Sequence, residues 1–309
     1  MNTHPLPDRK DGLIVIVGSL NMDLVMRTAR LPEGGETLHG HEFSTLPGGK
    51  GANQAVACAR LGGKVSMIGQ VGADSFGQTL REGLRADGVD VQGVKQTDAA
   101  GTGVAMILVE DIGQTRILLA SGANGALTPV DLDKHAALIA RASLLIVQLE
   151  IPLPVVERAI ALAHAAGVPV LLNPAPAVVL PDTIWPQIDF LVPNESEASL
   201  LSGIKVKDIA SAFCAARIFR GRGVACVLIT LGEQGVVVVD AAGERHFTAQ
   251  LVKAVDSTAA GDTFIGGLAA SLVNASTLDE AVALAQRASA LCVQRHGAQP
   301  SIPYRHEIN

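Results

Sequence analysis

Aromatic residues are scarce in this chain, with one Trp, one Tyr and seven Phe among 309 residues. Its core must therefore be built mainly from Ala, Val, Leu and Gly, a composition typical of a compact α/β protein. The length permits one large domain or two ordinary ones. No internal repeat with a period of roughly 20–50 residues is evident, which argues against a repeat architecture.

Cysteine is also rare, and the four cysteines are widely spaced: Cys58, Cys214, Cys226 and Cys292. Because no Cys-x-x-Cys pair is present, neither a redox pair nor a metal-binding pair of neighbouring cysteines is expected. We expect free and mostly buried thiols in a reducing cytosol.

Blocks of basic residues are missing, and the 24 Lys and Arg against 30 Asp and Glu give a formal net charge of −6. Nucleic acid and anionic membranes are therefore not expected as partners. The sequence has no apolar run long enough to span a bilayer, and residues 1–10 lack the apolar centre of a signal peptide. We expect a cytoplasmic protein in which residues 1–11 form a flexible tail.

Short apolar runs alternate with helical patterns along most of the chain. The runs are continuous and rich in branched residues, as buried parallel strands are. Strands are predicted at residues 13–17, 65–69, 144–148, 168–172, 190–192 and 226–230. Helices are predicted at residues 52–61, 76–86, 154–166, 209–219, 261–273 and 278–294. This alternation predicts an α/β fold with a doubly wound, mostly parallel sheet flanked by helices.

Two segments interrupt this alternation, residues 24–46 and residues 100–120, and each has the pattern of an exposed β-hairpin. His39 and His41 would share one face of a strand in the first hairpin, but with no third ligand nearby they predict a solvated face rather than a metal site. Together the two hairpins can form a small β-sheet lid. The α/β core then comprises residues 12–23, 47–99 and 121–309.

Polar side chains follow the carboxyl ends of the predicted strands, namely Asn21, Asp23, Glu150, Asn173, Asn194, Glu197 and Thr230. Ligands of open α/β sheets bind outside these ends, so the set predicts a binding site. Carboxylate and amide groups suit sugar hydroxyls, because each buried hydroxyl must be paired. Taken alone, Asn21 and Asp23 fit an Asx-rich turn equally well, and Glu197 fits better a carboxylate at a helix start.

A glycine-rich stretch, Gly48-Gly49-Lys50-Gly51, precedes the first predicted helix. It allows a ligand to approach the backbone closely. It is not a Walker A loop, because Gly rather than Ser or Thr follows the lysine, and this excludes a P-loop NTPase.

The stretch from Asp256 to Phe264 opens an apolar helix. Small residues at positions 259–261 leave bare the first amides of the helix, which lie at the positive end of its dipole and bind phosphate readily. Asp262 lies in the same turn, where a carboxylate can take the proton from a hydroxyl that is being phosphorylated. Taken alone, Asp262 fits better an acidic residue that stabilises a helix start.

In this order the motifs resemble the ribokinase-like (PfkB) family of carbohydrate kinases from Leu13 to about Ile308. The stretches that carry the resemblance are residues 18–23, 48–55, 148–150, 173–176, 193–197, 230–232, 256–264 and 297–301. The resemblance implies phosphorylation of D-ribose at O5 by ATP. Asp262 would be the general base, and the amides of Ala259, Ala260 and Gly261 would hold the transferring phosphoryl group. The implied sugar contacts are Asn21, Asp23, Gly49, Lys50, Asn53, Glu150 and Asp262.

The same resemblance implies nucleotide and cation sites. The implied nucleotide contacts are Asn194, Glu197, Thr230, Gly232, Gly235, Gly261 and Gln286, and Glu197 would help to place Mg²⁺ indirectly. An activating K⁺ would be held by the side chains of Asp256 and Ser301 and by the carbonyls of Thr258, Cys292, Arg295 and Gly297. Ile265 and Gln286 depart from residues common in the family, which bears on base selectivity. The lid would form the interface of a homodimer.

Other functions remain compatible with the residues alone. One is a kinase of another sugar or of a nucleoside, with 2-deoxyribose and fructose as candidates, because Asn21 favours ribose only if it bonds the 2-hydroxyl. The other is a non-catalytic sugar-binding protein on the same fold, which would need neither the base nor the anion site.

Overall fold

The computed structural model describes residue 6 and residues 11–308 of the chain. Within them the strands are β1 (Leu13–Val17), β2 (Asn21–Thr28), β3 (Glu42–Gly48), β4 (Lys64–Gly72), β5 (Asp90–Thr97), β6 (Gly103–Glu110), β7 (Thr115–Ala120), β8 (Leu144–Val147), β9 (Val170–Leu172), β10 (Phe190–Leu191), β11 (Cys226–Thr230), β12 (Val236–Asp240) and β13 (Gly243–Phe247). The α-helices are α1 (Lys50–Arg60), α2 (Ser75–Ala86), α3 (Pro129–Asp133), α4 (Ala136–Arg141), α5 (Leu153–Ala165), α6 (Glu195–Ser202), α7 (Ile209–Gly221), α8 (Ala260–Val273) and α9 (Leu278–Cys292).

Nine strands form the large sheet in the order β13-β12-β11-β10-β9-β8-β1-β4-β5. The pairs from β5 to β11 are parallel, whereas β12 and β13 add an antiparallel edge. Alternate residues of β1 face opposite sides, because side chains alternate along a strand. Val15 and Val17 belong to the core on the side of α5 and α7, and Ile14 and Ile16 belong to the core on the side of α1 and α8. Helices thus cover both faces, and the predicted doubly wound fold is confirmed.

The small sheet has the order β3-β2-β6-β7 and combines the two predicted hairpins through a parallel pairing of β2 with β6. β2 begins at Asn21, shortly after β1 ends at Val17, and β3 ends at Gly48, shortly before α1 begins. This end of the small sheet therefore lies beside the large sheet. The outer part of the small sheet exposes Phe43, Ile117 and Leu118.

Several local features differ from the sequence-based predictions. β5 and the helices α3, α4 and α6 were not predicted; β5 is an edge strand in which Val91 and Val94 are buried while Asp90, Gln92 and Lys95 are exposed. The prediction that His39 and His41 share a strand face is wrong, because both lie in the loop between β2 and β3. His41 Nε2 instead lies 3.1 Å from Asp111 Oδ1.

The N-terminal segment falls largely outside the described part of the chain. The predicted flexible tail covers residues 1–11, of which the structure describes residues 6 and 11. Leu6 is buried against the core that contains α1 and α8. Among the described residues, no helix is both long and apolar enough to cross a membrane.

Candidate active site

A cavity of about 180 Å³ lies where β9, β10 and β11 end and α8 begins. Its walls bring together nine residues that the sequence analysis placed in the site: Lys50, Asn173, Asn194, Glu197, Thr230, Ala259, Ala260, Gly261 and Asp262. The remaining lining residues are Ala175, Val192, Ser257 and Ile265. Residues from five separate regions of the sequence therefore meet at the carboxyl edge of the sheet, as expected for an open α/β fold.

The start of α8 has an unusual backbone conformation. Ala259 precedes the helix in the left-handed region, with φ 59° and ψ 10°, and no side chain caps the helix there. This conformation costs a residue other than glycine about 1–2 kcal/mol. Within the described chain the amides of Ala259 and Gly261 make no hydrogen bond, whereas the Ala260 amide donates to Ser257 O at 3.2 Å. A Cβ atom on Gly261 would meet no atom within 4 Å. The turn therefore presents bare N–H groups and open space to an anion.

The Asp262 carboxylate is held by two amide side chains from α1. Asn53 Nδ2 donates to Oδ2 at 3.0 Å, and Gln54 Nε2 donates to Oδ1 at 2.9 Å. Asp262 is only 7% exposed. Both oxygens thus accept hydrogen bonds from neutral donors, which fixes the carboxylate beside the bare amides and stabilises its charge.

Gln54 was not among the predicted site residues. Its amide orientation is set by the backbone, because Asn173 Nδ2 donates to Val192 O at 3.0 Å and Asn173 Oδ1 then accepts from Gln54 Nε2 at 3.1 Å. Gln148 Nε2 donates to Gln54 Oε1 at 2.6 Å. A sequence signal was available, since residues 50, 53 and 54 are spaced i, i+3 and i+4 and so share one face of α1.

A cluster of carboxylates lies next to Asp262. Asp23 is buried, its carboxylate makes no hydrogen bond to the described residues, and its pKa is raised to about 7 by burial and by the charges of Glu150 and Asp262. Glu150 Oε2 accepts from Ser19 Oγ at 2.6 Å and from the Lys50 amide at 3.0 Å. Such a group of acceptors suits a polyol, whose hydroxyls can donate to them.

Lys50 is the cation within this cluster. Burial lowers the pKa of its ammonium group, but the negative charges of Asp262, Glu150 and Glu197 outweigh burial and leave the pKa raised. Lys50 therefore stays charged, and it lies close to Glu150 and also lines the cavity.

Two glycines before α1 allow the chain to pass close to this cluster. A Cβ atom on Gly48 would lie 2.3 Å from Asp23 Oδ2. Gly49 has φ 89°, and a Cβ atom there would lie 2.7 Å from the Asn21 amide nitrogen. Both positions therefore require glycine.

Asn194 and Glu197 serve as a capping box for α6. Asn194 Oδ1 accepts from the Glu197 amide at 2.9 Å, and Glu197 Oε2 accepts from the Asn194 amide at 2.9 Å. Glu197 also lines the cavity. Its pKa is raised, mainly by burial, although the bond from the Asn194 amide and the charge of Lys50 act in the opposite direction. The helix-cap role and a place in the cavity thus coexist in one residue.

Three predicted nucleotide contacts lie outside the cavity lining: Gly232, Gly235 and Gln286. A Cβ atom on Gly235 would lie 2.0 Å from Phe247 O, and Gln286 Nε2 donates to the same carbonyl at 3.0 Å. Both residues therefore pack against the end of β13.

The residues proposed to hold K⁺ meet behind the start of α8. Asp256 Oδ1 accepts from the Thr258 amide at 2.9 Å, and Asp256 Oδ2 accepts from the Gly297 amide at 2.9 Å. Burial raises the pKa of Asp256, but these bonds outweigh it and the pKa is lowered. Cys292 Sγ lies 3.0 Å from Ser301 Oγ and 3.6 Å from Thr258 O.

The Arg295 side chain points elsewhere and pairs with Glu307 at 2.6 Å, which leaves only its carbonyl as a candidate ligand. No group of three or more His, Cys, Asp or Glu suited to a metal occurs among residues 6 and 11–308. A site made mainly of backbone carbonyl oxygens would not contain such a group of side chains.

Bare amides at a helix start, beside a held carboxylate and a cluster of further carboxylates, define a site suited to phosphoryl transfer to a hydroxyl. The sequence model of the pfkB family carbohydrate kinases matches residues 11–305, and the chain belongs to that family, as the resemblance implied.

Named relatives agree with this family. A ribokinase of Schizosaccharomyces pombe is 47% identical, with 96% of each chain covered. A deoxyribokinase of Salmonella typhi is 37% identical, with 96% of this chain and 97% of the relative covered. The solved structure of Arabidopsis thaliana ribokinase complexed with ribose and ATP is 32% identical, covers 96% of each chain and has a TM-score of 0.91.

Proposed function

We propose that this protein is a ribokinase, which transfers the γ-phosphoryl group of ATP to O5 of D-ribose and forms D-ribose 5-phosphate. The observation that carries the proposal is the Asp262 carboxylate, held by Asn53 and Gln54 beside the bare amides of the α8 turn. The relatives named ribokinase support the choice of sugar.

In this proposal Asp262 accepts the proton of the attacking hydroxyl. Because a carboxylate is a far weaker base than an alkoxide, the proton moves late, and positioning and charge stabilisation supply most of the acceleration. The amides of Ala259, Ala260 and Gly261 would stabilise the charge on the transferring group. Lys50 lies between the sugar pocket and the cavity and would add a positive charge there.

We assign the sugar pocket to Asn21, Asp23, Gly49, Lys50, Asn53, Glu150 and Asp262. Asn194, Glu197, Thr230, Gly232, Gly235, Gly261 and Gln286 would contact the nucleotide. A Mg²⁺ ion bound to ATP would neutralise phosphate charge. Both Glu197 oxygens already accept hydrogen bonds from Asn194, so Glu197 would meet that ion through water.

A monovalent cation is the second proposed cofactor. Asp256, Ser301 and the carbonyls of Thr258, Cys292, Arg295 and Gly297 would form an all-oxygen donor set, which fits a hard cation such as K⁺. The lowered pKa of Asp256 keeps its carboxylate charged. A cation held there would reinforce the positive field of the α8 turn.

The lid is proposed to consist of residues 24–46 and 100–120 and to form the interface of a homodimer in the cytoplasm. The exposed apolar side chains of Phe43, Ile117 and Leu118 support this assignment, because an exposed apolar patch marks an interaction surface.

The experiment is ADP production with ATP and Mg²⁺ on ribose, 2-deoxyribose, fructose and adenosine, each with and without K⁺. We expect the highest turnover on ribose. A higher turnover on 2-deoxyribose would favour the second candidate function, which the deoxyribokinase relative supports. Binding of ribose without turnover on any substrate would indicate a non-catalytic sugar-binding protein.

Asp262→Asn tests the assignment of the base. We expect kcat to fall about 10²–10⁴-fold, with ribose affinity roughly kept. Asp279→Asn is the matched control, because Asp279 is an acidic residue in the first turn of α9 and lies outside the site. Similar turnover for Asp262→Asn and the control would contradict the assignment.

A further inference from the structure

Asn124 lies outside the site described above, in the short turn of residues 122–126 that follows the lid, and it is 1% exposed. Its Oδ1 accepts from the Leu20 amide at 2.9 Å, and its Nδ2 donates to Leu20 O at 3.0 Å. Because a backbone N–H only donates and a carbonyl only accepts, these two bonds fix which end of the Asn124 amide is which.

This fixed amide in turn orients Asn21. Asn124 Nδ2 donates its second hydrogen to Asn21 Oδ1 at 2.8 Å. The Asn21 oxygen therefore faces Asn124, and the Asn21 nitrogen faces away from it. Asn21 is 3% exposed, and its Nδ2 makes no hydrogen bond within the described chain, so this donor is left for a ligand.

The free donor lies on the side of the sugar pocket. Asn21 and Asp23 are two residues apart on β2 and so share one face of that strand. The carboxylates of Asp23, Glu150 and Asp262 gather there and can only accept hydrogen bonds while ionised. A sugar hydroxyl that donates its one hydrogen to a carboxylate still needs a donor for its oxygen, and Asn21 Nδ2 supplies it.

We propose that the hydroxyl opposite Asn21 is the 2-hydroxyl of the sugar, and that Asn124 is a positioning residue that makes the pocket select ribose over 2-deoxyribose. This inference rests on the proposed ribokinase function. If Asn124 no longer donates to Asn21, the Asn21 amide can turn its oxygen towards the pocket. One hydroxyl hydrogen then faces two acceptors, so one of them stays unpaired, whereas 2-deoxyribose has no hydroxyl to lose.

The lid strand β6 approaches the same hydrogen bond. Gly103 pairs with Asn21 in register, and a Cβ atom on Gly103 would lie 2.3 Å from both Asn124 Nδ2 and Asn21 Oδ1. Gly103→Ala therefore separates the two amides from another direction and gives a second variant that leaves Asn124 unchanged.

The experiment compares kcat/KM for ribose and for 2-deoxyribose in Asn124→Asp and Gly103→Ala. Aspartate keeps the shape of Asn124 and can accept from the Leu20 amide, but it has no N–H to give Asn21. We expect the ratio of the two kcat/KM values to fall about tenfold or more, through loss of ribose activity.

Thr102→Val is the matched control. Thr102 is the buried neighbour of Gly103, and its hydroxyl bonds Asp74 Oδ1 at 2.6 Å. This variant should lower the unfolding temperature while leaving the sugar ratio unchanged. Equal losses for both sugars in Asn124→Asp and Gly103→Ala would overturn the proposal, because a purely structural role affects both substrates alike.

Wild-type turnover on ribose in the same assay tests the proposed function separately. If the wild type turned over neither sugar, the proposed function would fail. Titration calorimetry with ribose and 2-deoxyribose would then still test Asn124, through the ratio of the two dissociation constants in the wild type and in the variants.

Discussion

The buried carboxylate of Asp23 is proposed to bind the sugar, but its charge destabilises the folded protein, and this destabilisation can be measured. Its pKa is about 7 in the folded protein against an ordinary value of 3.8, because of burial and of the nearby charges of Glu150 and Asp262. Between these pH values the folded chain keeps a proton that the unfolded chain loses, so stability falls as pH rises from about 4 to about 7 and stays low above that.

Asp23→Asn should relieve this cost. At 1.36 kcal/mol per pH unit, a displacement of this size corresponds to at most about 4 kcal/mol at pH 8, and relaxation around the charge reduces it, so we expect a gain of about 2–4 kcal/mol. No hydrogen bond to the described chain is lost with the carboxylate. Since each kcal/mol moves the unfolding temperature of a chain of this size by roughly 2 °C, the gain is readily resolved.

The assay is thermal unfolding of the wild type and of Asp23→Asn, without sugar, from pH 4.5 to 8.5. The variant should lack the decline of the wild type between pH 4 and 7 and should be the more stable protein at pH 8. It should also bind ribose more weakly, because it offers the sugar no carboxylate. A variant less stable than the wild type at pH 8, or one with the same pH slope, would refute the reasoning.

Two further predictions follow from the contacts around α8. Gln54→Met removes a donor to Asp262 Oδ1, so we expect kcat to fall about 10–100-fold; Gln78→Met on the outer face of α2 is the control, and equal kcat values for the two variants would count against the prediction. If K⁺ binds at the proposed site, it should activate the enzyme and KCl should raise the unfolding temperature above that in NaCl, and Asp256→Asn should abolish both effects; an unchanged KCl response would remove Asp256 from the proposed site.

The large sheet is predictable because its central strands are buried on both faces. Residues such as Val15 and Ile16 face opposite cores, so the strand appears as one continuous apolar run. β5 lies at the edge, and its exposed Asp90, Gln92 and Lys95 break that pattern. Strands that are covered by helices on both faces are therefore predicted from the sequence more reliably than strands that are exposed to solvent.

The site divides in a similar way. The bare amides and Asp262 follow from one short stretch, because small residues at a helix start have local consequences. The partners of Asp262 do not follow, since Gln54 and Asp262 are 208 positions apart and Asn124 and Asn21 are 103 apart. Local periodicity places a side chain on a face of its helix or strand, but only the tertiary fold decides which donor that face meets.

Two buried chains of amide side chains, which we call amide relays, orient groups of the site: Asn173 and Gln54 orient Asp262, and Asn124 orients Asn21. The oxygen and the NH₂ group of an Asn or Gln side chain are nearly equal in size, so the amide can be rotated by half a turn at little steric cost. A site that needs a donor at one point must therefore prevent the rotated orientation. Here Val192 O fixes Asn173, which fixes Gln54 against Asp262. In the same way, the Leu20 peptide groups fix Asn124, which orients Asn21.

Each relay begins at a strand of the rigid sheet or next to it, and each ends at a group that would touch substrate. A reversed amide would place an oxygen against a carboxylate or towards an acceptor-rich pocket. Without an anchor, the free energy of orienting the amide would weaken every substrate complex. With a backbone anchor, the amide is already oriented when the protein folds. The Asp262 carboxylate and the Asn21 amide are thus oriented in advance by neutral groups that no sugar has to reorient.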